Sequence, residues 1–375
     1  MGDMGWSQLQ PELIEMISSK FTTYVDYVRF RAVCVKWCST LPPIPHHLPC
    51  QLPWLMLPHN SNSSNRRGFF NLSENKVYWL NLPEICSGSR CCGSSQGWVV
   101  LLLQHSPNIL LFNPLTRVQL QLPPFRLNMI DPCLLFIKKV VLSSSPASLS
   151  VDYIAVAILN EPKELAFCKK GAEAWTIIED ADNYCEDVIY YNGLFYAVNK
   201  RGCLAVCDVS GDSPVVRVIK PLYRGNFIYR GSILLKHIHY LVDSFGELLF
   251  VTRNLKFVMD IEPNTRVHKT VGFEISRLDS SRRPKWVEVK SLGNHVLFLG
   301  GNSSLCSSAT DLPGCEGNCI YFTDYDSKVN NDGKRPTQDS GVFNVGDGSI
   351  KPLPYCDGYS RLFLPPPIWV ITNPC

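Results

Sequence analysis

The residue types best suited to chemistry in this chain of 375 residues are its 16 cysteines and 8 histidines. Cysteines that lie close together in sequence include Cys91 with Cys92, Cys203 with Cys207, and Cys315 with Cys319. None of these pairs has the two-residue spacing of a zinc knuckle or a thioredoxin-like site. We therefore predict buried structural thiols. The histidines are ambiguous, because isolated histidines are more often core or surface residues than ligands; they include His46, His47, His237 and His239.

Enzyme motifs are also missing from the sequence. It has no glycine-rich loop with lysine and serine or threonine to hold nucleotide phosphates, and no histidine–glutamate helix to hold a hydrolytic zinc. An enzyme of another class would need converging polar residues with shifted pKa values in a central pocket, and the sequence shows no such set. We predict no catalytic residues, no metal ligands and no cofactor, so the chain is not expected to be an enzyme.

The charge balance argues against nucleic acid and membrane surfaces as partners. Lysine plus arginine number 36 and aspartate plus glutamate 33, and charged residues make up 18% of the chain. The electrostatic field of so small a net charge is too weak to attract phosphate backbones or anionic lipid. The longest apolar runs are far shorter than the roughly 20 residues of a membrane-spanning helix.

The two ends of the sequence bear on its location. The first residues lack the features of a signal peptide, and neither end carries a lipidation motif, so we expect a reducing compartment and no lipid anchor. The stretch Arg282-Arg283-Pro284-Lys285 could act as a nuclear-import signal, although such a stretch is usually a solvated turn. We expect the protein in the nucleus, the cytoplasm or both.

Apolar residues recur at helical spacing in the first 40 positions. They form three stripes, namely Leu13, Ile14 and Ile17; Val25, Val28, Ala32 and Val35; and Phe30, Cys34 and Trp37. About 40 residues bury too little surface to be stable alone, and three stripes are more than so small a bundle can hide. We predict a helical docking module; the alternative is that these helices pack on the rest of the same chain.

The remainder of the chain has a different pattern. Residues 42–67 are rich in proline, serine and asparagine and predict a linker, which separates a helical motif at 1–41 from a domain at 68–375. After Gly68, short apolar runs alternate with glycine, proline, asparagine and aspartate, which predicts strands.

These strands recur with a loose period. Starts near Gly97, Gly193, His239 and Asn294 fit a unit of roughly 45 to 50 residues, in the range of propeller blades. Many strands are apolar on both faces, as a blade packed between two neighbours requires. We predict a multidomain α and β protein with a small helical motif followed by an all-β propeller-like domain. The number of blades stays open, because the repeat loses register between Val140 and Trp175 and after Gly301.

Aromatic residues of the strands allow two interpretations. They belong either to the core or to a binding surface on a propeller face, and we expect most to be core; they include Trp98, Trp175, Tyr196 and Trp286. Loops at the rims of the ring are the expected recognition elements.

The N-terminal residues carry a resemblance to a known motif. They resemble the F-box motif in the form found in plant proteins. The matching residues are Trp6-Ser7-Gln8-Leu9-Gln10-Pro11-Glu12-Leu13-Ile14, Asp26-Tyr27-Val28-Arg29-Phe30-Arg31-Ala32-Val33-Cys34 and Trp37. The resemblance implies that apolar residues press into a groove of the adaptor Skp1. The implied Skp1-binding residues are Leu9, Pro11, Leu13, Ile14, Ile17, Val33 and Trp37. The resemblance makes Arg31, Val33, Cys34 and Trp37 scaffold or contact residues. Two positions depart from the motif, because Gln10 replaces a proline and Cys38 a common arginine.

The β-rich part resembles the plant F-box-associated family that was formerly known only as a domain of unknown function and is described as a β-propeller. The motifs that carry the resemblance are Gly93-Ser94-Ser95-Gln96-Gly97-Trp98, Phe112-Asn113-Pro114-Leu115-Thr116-Arg117, Lys285-Trp286-Val287-Glu288-Val289, Asn318-Cys319-Ile320-Tyr321-Phe322-Thr323-Asp324 and Pro365-Pro366-Pro367-Ile368-Trp369-Val370. The last of these predicts an extended final strand that closes the ring near residues 76–80.

Together the two resemblances imply a substrate-recruiting F-box subunit of a Skp1–cullin–F-box ubiquitin ligase. Its implied partners are a Skp1-like adaptor, a cullin reached through that adaptor, and an unidentified target protein held by the propeller; neither nucleic acid nor a membrane is expected. The alternative is a propeller that sequesters or inhibits a partner without ubiquitin transfer.

Overall fold

The computed structural model of the protein describes residues 6–22, 24–42, 45, 47, 53–57, 65–72, 74–85, 89–103, 109–125, 137–146, 152–159, 163–219, 235–259, 266–281, 284–312, 314–323, 339–353 and 367–371. Several residues named above lie outside these ranges: His46, Arg282, Arg283, Asp324, Pro365 and Pro366, together with the side chain of Val25.

Three short helices come first, and strands follow. The helices are α1 (Pro11–Ser18), α2 (Tyr24–Arg31) and α3 (Val35–Thr40). The strands are β1 (Trp54–Met56), β2 (Arg66–Asn71), β3 (Lys76–Asn81), β4 (Ser89–Ser95), β5 (Trp98–Leu103), β6 (Ile109–Phe112), β7 (Gln119–Leu122), β8 (Ile137–Leu142), β9 (Ile154–Leu159), β10 (Glu164–Lys169), β11 (Thr176–Ile177), β12 (Asp187–Tyr191), β13 (Leu194–Val198), β14 (Leu204–Asp208), β15 (Val215–Ile219), β16 (Leu235–Ser244), β17 (Glu247–Met259), β18 (Arg266–Asp279), β19 (Lys285–Glu288), β20 (His295–Leu299), β21 (Leu305–Ser308), β22 (Cys319–Phe322), β23 (Gly341–Asn344), β24 (Ile350–Lys351) and β25 (Ile368–Val370).

These strands form the six blades of a β-propeller. Blade 1 has the order β25-β1-β2-β3, blade 2 β4-β5-β6-β7, blade 3 β8-β9-β10-β11, blade 4 β12-β13-β14-β15, blade 5 β16-β17-β18-β19 and blade 6 β21-β20-β22-β23-β24. The first strand of each order is the innermost, because these strands contact one another from blade to blade: β25 with β4, β4 with β8, β8 with β12, β12 with β16 and β16 with β21. The predicted propeller is confirmed, and it has six blades.

The core of the propeller lies between blades. Each pair of neighbouring blades encloses one cluster of buried apolar side chains, including the pair formed by blade 6 and blade 1. Every blade is therefore covered on both faces, which is why strands such as β5 and β9 are apolar at consecutive positions. Trp98 is buried in the cluster between blades 2 and 3, and Trp175 packs against that cluster. Tyr196 and Trp286 pack against the cluster between blades 4 and 5.

The ring closes by joining the two ends of the propeller in one sheet. Strand β25 pairs antiparallel with β1, with Leu55 opposite Trp369, and β1 pairs with β2. The predicted final strand therefore lies in the same blade as residues 76–80, and two strands, β1 and β2, separate it from them. Strand β1 also lies inside the segment 42–67, so this part of the predicted linker is instead sheet; the short apolar run Trp54-Leu55-Met56 is long enough to add a strand when a partner edge is available.

Polar side chains reinforce the closure. The indole nitrogen of Trp369 donates to the carbonyl of Leu299 at 3.0 Å. The carbonyl of Trp369 in turn accepts bonds from Ser94 Oγ at 2.9 Å and Asn302 Nδ2 at 3.0 Å. Blades 1, 2 and 6 are therefore linked at one buried point.

Blade 6 differs from the other five. Strand β20 pairs antiparallel with β21 but parallel with β22, so β20 lies between them. This topology places an extra strand on the inner side of the blade and explains why the sequence repeat loses register after Gly301. No described helix is long and apolar enough to cross a membrane.

Candidate docking site on the N-terminal helices

The N-terminal helices have a small core of their own. Ile14, Tyr27, Trp37 and Leu41 are buried together, and Leu9, Phe21, Phe30 and Cys34 pack against them. No propeller residue belongs to this cluster in the part of the chain that the structure describes. The described core of the helices is therefore built from their own side chains.

Sequence features place these helices as predicted. Pro11 occupies the start of α1, where its missing N–H has no intrahelical partner to lose. The ring of Phe30 lies 4.3 Å from that of Trp37 between centroids, which packs α2 onto α3.

Arg31 and Tyr27 tie the end of α3 to α2. The guanidinium of Arg31 donates to the carbonyls of Leu41 at 3.2 Å and Cys38 at 3.0 Å, which would otherwise end the helix without partners. The hydroxyl of Tyr27 donates to the carbonyl of Pro42 at 2.7 Å. Arg31 therefore has a scaffold position in the three-helix unit, which we call the helical head (residues 6–42).

The predicted adaptor-binding residues divide into two groups. Ile14 and Trp37 are buried in the core of the head, where they hold the helices together and offer no side-chain surface to a partner. Pro11, Leu13 and Val33 are exposed, and Leu9 and Ile17 are half-buried. The second group is the one that a docking protein can reach.

Exposed apolar side chains are concentrated in the head. Of the eleven large hydrophobic residues that are exposed in the described part of the chain, five lie within the first 35 positions: Trp6, Leu13, Met16, Val33 and Val35. Trp6, Met16 and Val35 were not among the predicted contacts. The sequence held a signal for Met16, because it lies three positions after Leu13 on the same side of α1.

The cysteines and histidines of the described residues show no sign of a reactive or metal-binding site. Burial raises the pKa of the Cys91 thiol to about 12 and that of Cys92 to about 11, which makes both poor nucleophiles at neutral pH. No group of three or more potential metal ligands occurs among the described residues. His47 and His237 are exposed, whereas His239 is buried.

Known proteins resemble this chain both in the propeller and over its whole length. The family described as KIB1-4 beta-propeller matches residues 69–344. F-box protein SKIP23 of Arabidopsis thaliana is 27% identical, and the alignment covers 98% of this chain and 96% of that protein. F-box protein At2g17036 of the same plant is 23% identical over 99% of this chain and 96% of its own length. Putative F-box protein At4g17565, also from Arabidopsis thaliana, is 28% identical with coverage of 96% and 92%. The alignments that cover 98% and 99% of this chain extend over the helical head, which precedes the family match.

Proposed function

The chain belongs to the KIB1-4 β-propeller family, and from this premise we propose that it is a substrate-recruiting F-box subunit of a Skp1–cullin–F-box ubiquitin ligase. In this proposal the helical head docks on a Skp1-like adaptor, which connects it to a cullin, and the propeller binds the target protein. The relatives named as F-box proteins align with the head as well as with the propeller, which supports the assignment.

The observation that carries the proposal is the contrast between two adjacent residues of α1. Ile14 is completely buried in the head, whereas the side chain of Leu13 is 41% exposed. Leu13, Met16 and Val33 together give the head an apolar surface that is exposed in the described part of the chain. A groove on a second protein would cover it by the helix-in-groove mode of recognition.

The propeller would act by proximity. Its blades are covered on both faces by their neighbours, and in this proposal the ring that they form binds the target while the head binds the adaptor. Holding the target near the ubiquitin-conjugating enzyme raises the effective concentration of its lysines, which is the whole rate gain expected of a subunit without catalytic residues.

A pull-down with a purified plant Skp1-type adaptor tests the docking step. The double variant Leu13→Asp, Val33→Asp places carboxylates at positions that are 41% and 57% exposed. We expect it to lose adaptor binding, because a carboxylate buried against an apolar groove has no partner. The matched control is Val215→Asp, Val218→Asp on strand β15, where the exposures are 59% and 50%. The control should bind as the unmodified chain does.

Two results would overturn the proposal. The first is an unmodified chain that does not bind the adaptor, which would favour a propeller that binds a partner without ubiquitin transfer. The second is equal binding by the head variant and the control, which would place the adaptor contact elsewhere.

A further inference from the structure

The hairpin between β16 and β17 has a phenylalanine where the backbone disfavours one. Phe245 has a φ of 51° and Gly246 a φ of 85°. Two-residue hairpin turns with both central residues at positive φ take asparagine, aspartate or glycine first. The turn that follows the inner strand of blade 4 obeys this rule, with Asn192 at 47° and Gly193 at 82°. A bulky aromatic residue in this region is an outlier, and such outliers concentrate at functional sites.

The ring of Phe245 contributes little to the core. Its side chain is 63% exposed, although phenylalanine is one of the residues that gains most from burial. One side of the ring stacks on His295, with 4.5 Å between the ring centroids and 29° between the planes. His295 begins β20 of blade 6, so the stacked pair bridges blades 5 and 6. Phe245 is thus held in one orientation with its remaining surface in solvent.

Two acidic residues of the hairpin flank Phe245 in sequence, Asp243 before it and Glu247 after it. Asp243 Oδ1 accepts a bond from the Gly246 N–H at 2.9 Å, which fixes its carboxylate beside the turn. Within the described part of the chain Asp243 forms no ion pair, whereas Glu247 contacts Arg277 at 3.0 Å. The hydroxyl of Tyr191 donates to the carbonyl of Gly246 at 2.6 Å and anchors the same turn to blade 4.

An aromatic ring close in the hairpin to a carboxylate that forms no ion pair with any described residue favours a ligand of positive charge. A guanidinium or ammonium group gains from the face of an aromatic ring and from a neighbouring carboxylate at the same time. Of the two cations, the planar guanidinium also stacks on aromatic rings. Phosphate groups would be repelled by Asp243, so nucleic acid does not fit this surface.

We propose that Phe245, His295 and Asp243 form a docking point for an arginine side chain in a basic segment of a protein partner. The proposal deepens the proposed function, since it rests on the propeller binding a protein and specifies the chemistry of that protein. It requires neither the adaptor nor ubiquitin transfer.

Fluorescence anisotropy with the full chain tests the docking point. The probe is a labelled glycine–serine peptide with three arginines, and its twin carries glutamates at the same positions. We expect the arginine peptide to bind and the glutamate peptide not to bind. Phe245→Asn should weaken arginine-peptide binding about tenfold, the equivalent of losing one aromatic–cation contact of about 1.4 kcal/mol. The same variant should unfold at an equal or higher temperature, because asparagine suits the turn better than phenylalanine.

Two further variants separate charge from shape. Asp243→Asn retains an oxygen that can accept from Gly246 and removes the charge, so binding should weaken and depend less on salt. Val215→Asn replaces a comparably exposed apolar residue on β15, and it should bind the peptide normally. Equal binding of the arginine and glutamate peptides, or undiminished binding by Phe245→Asn, would overturn the docking point.

The adaptor pull-down keeps the two proposals distinguishable. Phe245→Asn should bind the Skp1-type adaptor normally, because the substitution lies on the propeller. If the unmodified chain fails to bind the adaptor but still binds the arginine peptide, the ligase role falls and the docking point stands. If the peptide fails and the adaptor binds, the reverse holds.

Discussion

The guanidinium of Arg253 lies 3.0 Å from the carboxylate of Asp339, measured from Nη2 to Oδ2, in the interior between blades 5 and 6. Arg253 is completely buried, and it also donates to the carbonyls of Thr323 at 2.8 Å and Asp339 at 2.7 Å. Its charged group lies 4.6 Å from the centre of the Phe322 ring. Arg253 on β17 therefore binds Thr323, which follows β22, and Asp339, which lies shortly before β23.

Replacing Arg253 with leucine should strongly destabilise the propeller. The substitution leaves the Asp339 carboxylate and two carbonyls without this donor in the interior, so we expect the free energy of unfolding to fall by about 3 to 5 kcal/mol. Chemical denaturation measures the change. The matched control is Arg277→Leu, which removes an exposed ion pair with Glu247 of the same 3.0 Å length and should cost less than about 1 kcal/mol. Similar losses for the two variants would contradict the assigned role of Arg253.

Gly93 marks the closest approach of two inner strands. A Cβ atom added at this position of β4 would overlap the backbone carbonyl oxygen of Val140 on β8. Because a backbone atom cannot rotate away, Gly93→Ala should push blades 2 and 3 apart and lower the free energy of unfolding by about 1 to 3 kcal/mol. The comparison is Gly272→Ala on β18, where an added Cβ meets nothing within 4 Å. The unfolding temperatures of the two variants are the measurement. A temperature for Gly93→Ala that is no lower than that of Gly272→Ala would refute this close approach.

The sequence predicted the parts of the fold that local physics determines. Runs that are apolar at consecutive positions, such as β5 and β9, indicated strands covered on both faces, and the six interblade clusters confirm that interpretation. Strand β1 escaped prediction because three apolar residues among prolines form a strand only when the distant β25 pairs with them. The parallel pairing of β20 with β22 depends on the global topology in the same way.

The candidate docking site was predictable only in part for a related reason. Helical spacing grouped Leu13, Ile14 and Ile17 into one stripe, but it did not show which side of that stripe meets α2 and α3. The structure shows that Ile14 faces inward while Leu13 is exposed. Phe245 gave no sequence signal at all, because an aromatic residue next to a strand is ordinarily core, and only its φ and exposure distinguish it.

His239 should make stability depend on pH. Burial lowers its pKa from the ordinary value of 6.5 to about 4, and its ring is held between Thr252 Oγ1 at 3.2 Å and the carbonyl of Lys200 at 3.3 Å. Between these two values the unfolded chain binds a proton that the folded chain does not, so protonation favours unfolding. The contribution of His239 to the free energy of unfolding is complete above pH 6.5 and is lost as the pH falls toward about 4. It amounts to about 3 kcal/mol.

Denaturation at a series of pH values measures this dependence. His239→Gln should flatten the slope between about pH 6.5 and 4, because the titrating group is gone. His237→Gln is the comparison, since His237 is exposed on the same strand and is only a lesser cause of the lowered pKa of His239, so most of the slope should remain. An unchanged slope in His239→Gln would show that other groups cause it.

Adjacent alanine substitutions in α1 should separate the scaffold of the head from its contact surface. Ile14→Ala removes a fully buried side chain, and we expect the head to lose about 2 to 5 kcal/mol of stability. Leu13→Ala removes an exposed one and should change stability by no more than about 0.5 kcal/mol. Hydrogen exchange of the α1 amides reports the local stability of the head independently of the propeller. Leu13→Ala should nevertheless weaken adaptor binding, because it removes the leucine side chain that would fill the adaptor's groove. If Leu13→Ala accelerated exchange as much as Ile14→Ala does, Leu13 would belong to the core of the head and could not be the contact we assign.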